Sequence, residues 1–405
     1  MKILYFHQYF TTPAGSGGTR SYEWAKALIA RGHQVTMVCA SNAGSNAGLS
    51  GEFIHGKREG WVDGIRVIQF SLPYSNYLGK FKRGLAFIRF ALKSIFVALK
   101  EDYDLLFATS TPLTAGIPGI FAKIFRKKPF IFEVRDLWPE LPKAMGAVKN
   151  KFILKGMDWL ESLSYYYADA CVGLSPGIVQ GILKKQPQKK VMMIPNGCDL
   201  DLFNLKVKPD RSLLPDTIFE NDFVAVFTGA HGVANGLDAV LDAANVLKIK
   251  QRVDIKLLFV GDGKLKPALM KRAIDENLDQ CVFINPIQKT KMPALLKTVN
   301  LGLMILANVS AFYYGTSPNK FFDYLASGLP VLNNYPGWLA QMIKEHHCGI
   351  AVKPDDPTAF AESLIYCADH PNELIQMGKN ARKLAETNFS REKLANEFIS
   401  FLETV

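Results

Sequence analysis

Short apolar runs alternate with amphipathic helical stretches through almost the whole chain, the pattern of parallel sheets covered by helices on both faces. In the first half, runs at 3–6, 35–39, 65–70, 105–108, 130–134, 170–174 and 191–194 predict strands. The pattern restarts at 224–227 and continues at 257–260, 282–284, 301–305, 330–332 and 350–352. Between the two series, residues 206–222 are polar, contain Pro209 and Pro215 and have no periodicity, which predicts a hinge. Two final helices, at 372–386 and 391–404, follow the last strand with no strand after them. The expected organisation is therefore two α/β domains, 1–205 and 206–387, followed by a terminal helix within 388–405. In open parallel sheets ligands gather beyond the carboxyl ends of the strands, so the loops leaving those ends are where chemistry is expected.

One helical stretch has a second pattern. Along 80–100, KFKRGLAFIRFALKSIFVALK, the residues Lys82, Arg89, Lys93 and Lys100 fall within roughly 20° of one line at about 100° per residue. Leu85, Ile88, Leu92, Ile95, Phe96 and Leu99 cover the other side. Two readings fit. The cations meet anionic head groups while the apolar arc enters the acyl boundary, or the arc is core and the cations are a solvated stripe. Periodicity does not say what covers an apolar face.

Charge bears on that choice. Residues 1–203 hold 26 Lys and Arg against 15 Asp and Glu, whereas residues 204–405 hold 22 of each, so the whole net charge of +11 sits in the first half. A basic domain suits nucleic acid, anionic membrane or acidic ligands. No aromatic-interleaved platform or zinc spacing accompanies the basic residues, so nucleic acid is not expected. The six cysteines have no C-x-x-C spacing, which fits a reduced cytoplasmic protein without thiolate-bound metal. The start MKILYFHQYF is unlike a signal peptide, and no run of eighteen uncharged apolar residues predicts a spanning helix.

Four loops carry candidate chemistry. In YGTSPNKFFDYLASGLPVLNNYP, residues 314–336, Ser317 is placed to cap a helix and Pro318 to occupy its first position. The free amides of Asn319, Lys320 and Phe321 then form an anion cradle, Lys320 adds a mobile charge, and Asp323 one turn on offers an acceptor for sugar hydroxyls. In TTPAGSGGTR, residues 11–20, Gly17 and Gly18 allow close approach of backbone to a ligand and Arg20 stands in the first turn of the next helix. The second strand ends in Ala40-Ser41-Asn42 without the acid that holds an adenosine ribose, which disfavours a nicotinamide enzyme. FEVRDLWPE, residues 132–140, places Glu133, Arg135, Asp136 and Glu140 at a strand's carboxyl end, as a site or as an ion pair of Arg135 with Glu133 or Glu140. GAHGVANG, residues 229–236, offers His231 and Asn235 as neutral donors toward a diphosphate. The triplets Asp102-Tyr103-Asp104 and Asp199-Leu200-Asp201 read as solvated turns, and no metal is expected.

The 314–336 segment resembles the nucleotide-binding signature of retaining GT-B glycosyltransferases of family four, in which two glutamates seven residues apart precede a Gly-x-Pro-Val stretch. Asp323 matches the second glutamate and Gly315 the place of the first. The glycine loop, Gly32-His33-Gln34-Val35 and Pro195-Asn196-Gly197 extend the resemblance over nearly the whole chain. FEVRDLWPELPKAMG and PNGCDLD look like bacterial enzymes of O-antigen and capsule assembly, notably those transferring N-acetyl-L-fucosamine.

The resemblance implies two Rossmann-like domains facing across a cleft, with the terminal helix returning to the first. It implies a UDP-sugar donor, a lipid diphosphate-linked saccharide acceptor, retention at the anomeric carbon without metal, and a place on the inner face of the cytoplasmic membrane. It also implies Asp136 or Glu133 orienting the sugar or acceptor, and Asp323 binding ribose. Lys320 takes more of the diphosphate's charge than usual, aided by Ser317, Asn319, Phe321, His231, Asn235, Gly17, Gly18 and Arg20. A UDP-amino-sugar epimerase and a non-catalytic nucleotide-sugar-binding scaffold at the membrane share these features.

Overall fold

A computed structural model describes residues 1–405 apart from 16, 43–44 and 75–77, with side chains except at 73, 74 and 80, so the Lys80 side chain of the predicted basic helix lies outside the described residues. The chain forms two compact units, Met1–Pro195 with Gly315–Ser317 and Glu392–Val405, and Asn196–Tyr314 with Pro318–Arg391.

The first unit is built on eight strands: β1 (Lys2–Phe6), β2 (Gln34–Asn42), β3 (Lys57–Val62), β4 (Ile65–Tyr74), β5 (Leu105–Thr109), β6 (Phe130–Val134), β7 (Ala170–Gly173) and β8 (Lys190–Met193). Their order is β3-β4-β2-β1-β5-β6-β7-β8, parallel except for β3. The strand β3 was not expected, because KREGWV lacks an alternation of buried and exposed apolar side chains. It is held by a two-residue turn, Asp63 (φ 48°) and Gly64 (φ 83°), the double left-handed turn that an Asp-Gly pair favours between strands.

The second unit has six parallel strands: β9 (Phe223–Thr228), β10 (Ile255–Val260), β11 (Cys281–Ile284), β12 (Leu301–Met304), β13 (Val331–Asn333) and β14 (Gly349–Ala351), in the order β11-β10-β9-β12-β13-β14. Every expected strand is present. β9 and β10 are buried almost throughout, so they read as continuous apolar runs, as strands covered on both faces do.

Each face of the first sheet packs its own apolar core. The terminal helix Arg391–Leu402 completes one of them: Phe398 stacks on Trp24 at 5.5 Å and meets Phe107 edge-on at 5.1 Å. The other core receives the Lys80–Lys100 helix, and here the two sequence readings separate. That helix buries Ala86, Phe90, Ala91, Ser94 and Ala98. Its larger apolar residues point the other way: Phe81 is 84% exposed and Phe96 65%, with Leu85, Ile88 and Leu92 also exposed. Small residues let the helix lie close to the sheet, and most of the apolar arc is left outside, with Ile95 and Leu99 half-buried.

Candidate nucleotide-sugar site

In the second unit the helix Asn319–Ser327 follows β12 and precedes β13. It starts one residue later than expected. Pro318 takes the cap position with an extended ψ of 129°, and no side chain caps the helix. Ser317 is therefore not the cap: Pro318 is itself extended, which places Ser317 one residue outside the helix. Of the three expected cradle amides, those of Asn319 and Lys320 keep their capacity for an anion.

Lys320 leaves that turn and stands 3.7 Å over the centre of the Phe227 ring, its Nζ donating to Asn235 Oδ1 at 3.0 Å. Gly229, with φ 133°, lies beneath: a Cβ there would come 3.3 Å from the Lys320 amine. Burial draws the Lys320 amine down to about 7. Lys320 and Asn235, chosen from separate loops, thus meet. Asn319 is exposed at the helix start, while Phe321 is buried and its amide already donates to the Pro318 carbonyl at 3.2 Å, so the expected part of Phe321 in binding the donor is not available.

His231 behaves differently. Its imidazole is fully buried beside the rings of Phe227, Phe259 and Phe283, and neither ring nitrogen has a hydrogen-bond partner among the described residues. Burial, aided by Lys266, lowers it to about 4, so it is neutral at pH 7. The turn Gly261-Asp262-Gly263 clasps its backbone: a Cβ on Gly263 would lie 2.5 Å from the His231 carbonyl oxygen. Those glycines are needed for two loops to touch.

Asp323 is buried and ion-paired with Lys289, which also lies 5.0 Å over the Phe203 ring. The sequence reading missed Lys289, which sits among polar neighbours in the loop after β11 and has no motif around it. Gly315 has nothing within 4 Å of where a Cβ would stand, so a longer side chain has room there.

In the first unit, Asp136 follows β6 and accepts from the Thr111 hydroxyl at 3.1 Å. Burial raises its carboxyl above the ordinary range, against the opposing charge of Arg135. Thr111 has φ 88°, an outlier for a β-branched residue, and such strain gathers at functional sites. Nothing in Ser110-Thr111-Pro112 announced it beyond its place after β5.

Arg20 and Glu133 require correction as ligand groups. Arg20 donates to Glu133 Oε1 at 3.0 Å and to the carbonyls of Pro195 and Ile194 at 2.6 and 2.7 Å. Glu133 takes a further bond from Thr109 at 2.5 Å, and both side chains are buried. A guanidinium so committed ties helix to sheet. The alternative pair of Arg135 with Glu133 does not form, because Arg20 occupies that carboxylate. Gly17 and Gly18 are exposed, and Gly17 packs near Thr11. His7, unremarked in the sequence, is buried at the end of β1 against Ser21 Oγ at 2.7 Å.

Asp102 and Asp104 bond Lys2 at the amino end of the sheet, and Asp199 pairs with Arg391 at 2.7 Å. No group of three metal-ligating side chains occurs among the described residues. No helix among them is long and apolar enough to cross a membrane.

Residues 15–197 match the family described as Glycosyl transferase 4-like domain, and residues 215–384 match Glycosyl transferases group 1. The D-rhamnosyltransferase WbpZ of Pseudomonas aeruginosa is 24% identical over 240 residues, a match spanning 58% of this chain and 59% of WbpZ. Sucrose-phosphate synthase from Thermosynechococcus elongatus has a similar structure, with a TM-score of 0.77 at 18% identity over 100% of this chain and 98% of that one. HepE from Anabaena, solved in complex with UDP-glucose, gives 0.71 at 15% over all of both chains. Two matched domains on two parallel sheets, within a fold shared along the whole chain, make this protein a glycosyltransferase of the GT-B class, a Glycosyl transferase 4-like domain followed by a group 1 domain.

Proposed function

We propose that the chain transfers an N-acetylated amino sugar, N-acetyl-L-fucosamine, from a UDP-sugar to a lipid diphosphate-linked glycan of the bacterial surface, with retention at the anomeric carbon. The observation that supports this most is the meeting of Lys320, Asn235 and Gly229 at an uncapped helix start. A diphosphate there would accept from helix amides and from a lysine that its charge keeps protonated. As the bond from the sugar C1 to the diphosphate breaks, these donors stabilise the negative charge of the leaving group. The acceptor oxygen bonds to C1 from the same face, and its proton passes to an oxygen of the departing phosphate.

Asp136 is the group of the first domain proposed to orient the sugar or acceptor, since Glu133 is spent on Arg20. No metal takes part in this scheme. The exposed apolar and basic face of the Lys80–Lys100 helix supports a peripheral position on the cytoplasmic membrane, where a lipid-linked acceptor resides.

UDP release, followed with a panel of UDP-sugars with and without lipid extract, tests the reading. Acceptor-dependent release with the amino sugar supports it, whereas an isomerised donor points to an epimerase. A second reading, a non-catalytic scaffold, draws on Gly315; binding of UDP-sugar with neither release nor isomerisation would establish it. Asp136→Asn should lower turnover about 10²-fold while leaving UDP affinity intact, as expected for an orienting group.

A further inference from the structure

The helix Lys151–Tyr167 exposes an aromatic line that neither charge counting nor the family matches account for. Phe152, Trp159 and Tyr166 are seven residues apart, so they lie along one face of the helix, and they are 87%, 66% and 63% exposed. Lys155 shares that face and Lys151 begins it. The opposite face is the buried one, with Glu161, Ser164 and Tyr165. Exposed aromatic residues at this density mark a docking surface on a soluble fold.

The line does not stand alone. The Lys80–Lys100 helix, the Ala122–Arg126 π-turn and the Lys151–Tyr167 helix contribute Phe90, Ala122 and Tyr165 to the same core on one face of the first sheet. Their outer faces therefore belong to one layer, and the π-turn adds exposed Phe125. Nearby acids are already paired: Asp158 with Lys185 at 2.7 Å, Asp169 with Lys123 at 2.6 Å and Glu101 with Arg66 at 2.5 Å. Lys82, Arg89, Lys151 and Lys155 enter no ion pair among the described residues. Apolar and aromatic groups rimmed by uncompensated cations complement an anionic bilayer, with Trp and Tyr suited to its head-group level.

We infer that the Lys151–Tyr167 helix is a second lipid-contacting element, forming with the Lys80–Lys100 helix one platform that rests on an anionic bilayer. The inference deepens the proposed lipid-linked acceptor and rests on that reading. It also gives the platform a connection to the chemistry. Glu161, buried in this helix, accepts from the Trp138 amide at 2.7 Å and from the Tyr165 hydroxyl at 2.7 Å, and it pairs with Lys185 at 2.5 Å. Trp138 lies two residues after Asp136. The helix that meets lipid is thereby stapled to the loop proposed to orient the acceptor.

The test uses the full chain with vesicles of phosphatidylglycerol and brominated phosphatidylcholine, and needs neither donor nor transfer. Bromine in the acyl chains should quench tryptophan fluorescence in the wild type and in Trp61→Phe, whose site is on β3, but markedly less in Trp159→Phe. The triple change Phe152→Ser, Trp159→Ser, Tyr166→Ser should weaken vesicle sedimentation at least about tenfold, with the circular dichroism spectrum and UDP affinity retained. Equal sedimentation of the triple variant, or quenching that persists in full without Trp159, would overturn the inference. Loss of the proposed transfer activity with quenching intact would reject the acceptor reading and leave the platform standing.

Discussion

Two amphipathic helices of this protein satisfy their apolar faces in opposite ways. In the Asn319–Ser327 helix every side chain from Phe321 to Ser327 is buried, Asp323 included, and what remains available is the amide end with Lys320. In the Lys80–Lys100 helix the buried face is alanine and serine around Phe90, and Phe81, Leu85, Ile88, Leu92 and Phe96 are outside. Both segments show helical periodicity in sequence. Size of the apolar residue is thus a poor guide to which face meets the core, because a small-residue face packs closer to a sheet and a large-residue face can be kept for another partner.

The sharpest way to break this contrast is by stability. Phe322→Ala should cost about 3–5 kcal/mol of folding free energy, the loss typical of a buried aromatic side chain. Phe96→Ala should stay within about 0.5 kcal/mol, as surface changes do. Denaturant unfolding of both variants checks it; a large loss at Phe96 would return the outer face to some unrecognised core. Next in size is the effect on lipid. Replacing Lys82, Arg89 and Lys93 by Gln should weaken binding to anionic vesicles by about 3 kcal/mol at low salt, a gap that narrows as salt screens it. Equal sedimentation across a salt series would leave these cations as a solvated stripe.

On the other helix, Lys320→Ala should cost about 1.5–3 kcal/mol in binding of donor or transition state, the worth of a charge-assisted bond. Turnover and donor affinity both unchanged would remove the phosphate role. The smallest effect is a pH dependence of the same group. Burial holds Lys320 at about 7 in the ligand-free protein, and a diphosphate should raise it. Below that value the amine is already charged and binding takes up no proton. Above it, binding draws one in, and UDP affinity falls as pH rises through and beyond about 7. Calorimetry in two buffers of different ionisation enthalpy measures the proton uptake directly. For folding without ligand the sign is reversed in consequence: between about 7 and the ordinary 10.5 the unfolded chain holds more protons at this lysine, so stability rises with pH across that window.

Alternation of apolar runs and helices was enough to locate thirteen strands and the terminal helix, because strands in a doubly covered parallel sheet are continuous apolar stretches that few other structures use. Glycine spacing and a proline likewise marked the loops at Gly229 and Pro318. Local pattern could not register long-range partners. Arg20 looked like a ligand group until the fold brought Glu133 to it across 113 residues, and Asp323 looked free until Lys289 arrived from another loop. Thr111 came within hydrogen-bond reach of Asp136 only when β5 and β6 became neighbours. The chain's own order determined which residues are apolar, charged or turn-forming; tertiary packing decided which charges neutralise one another and which apolar faces stay uncovered, since both depend on distances that sequence separation does not encode.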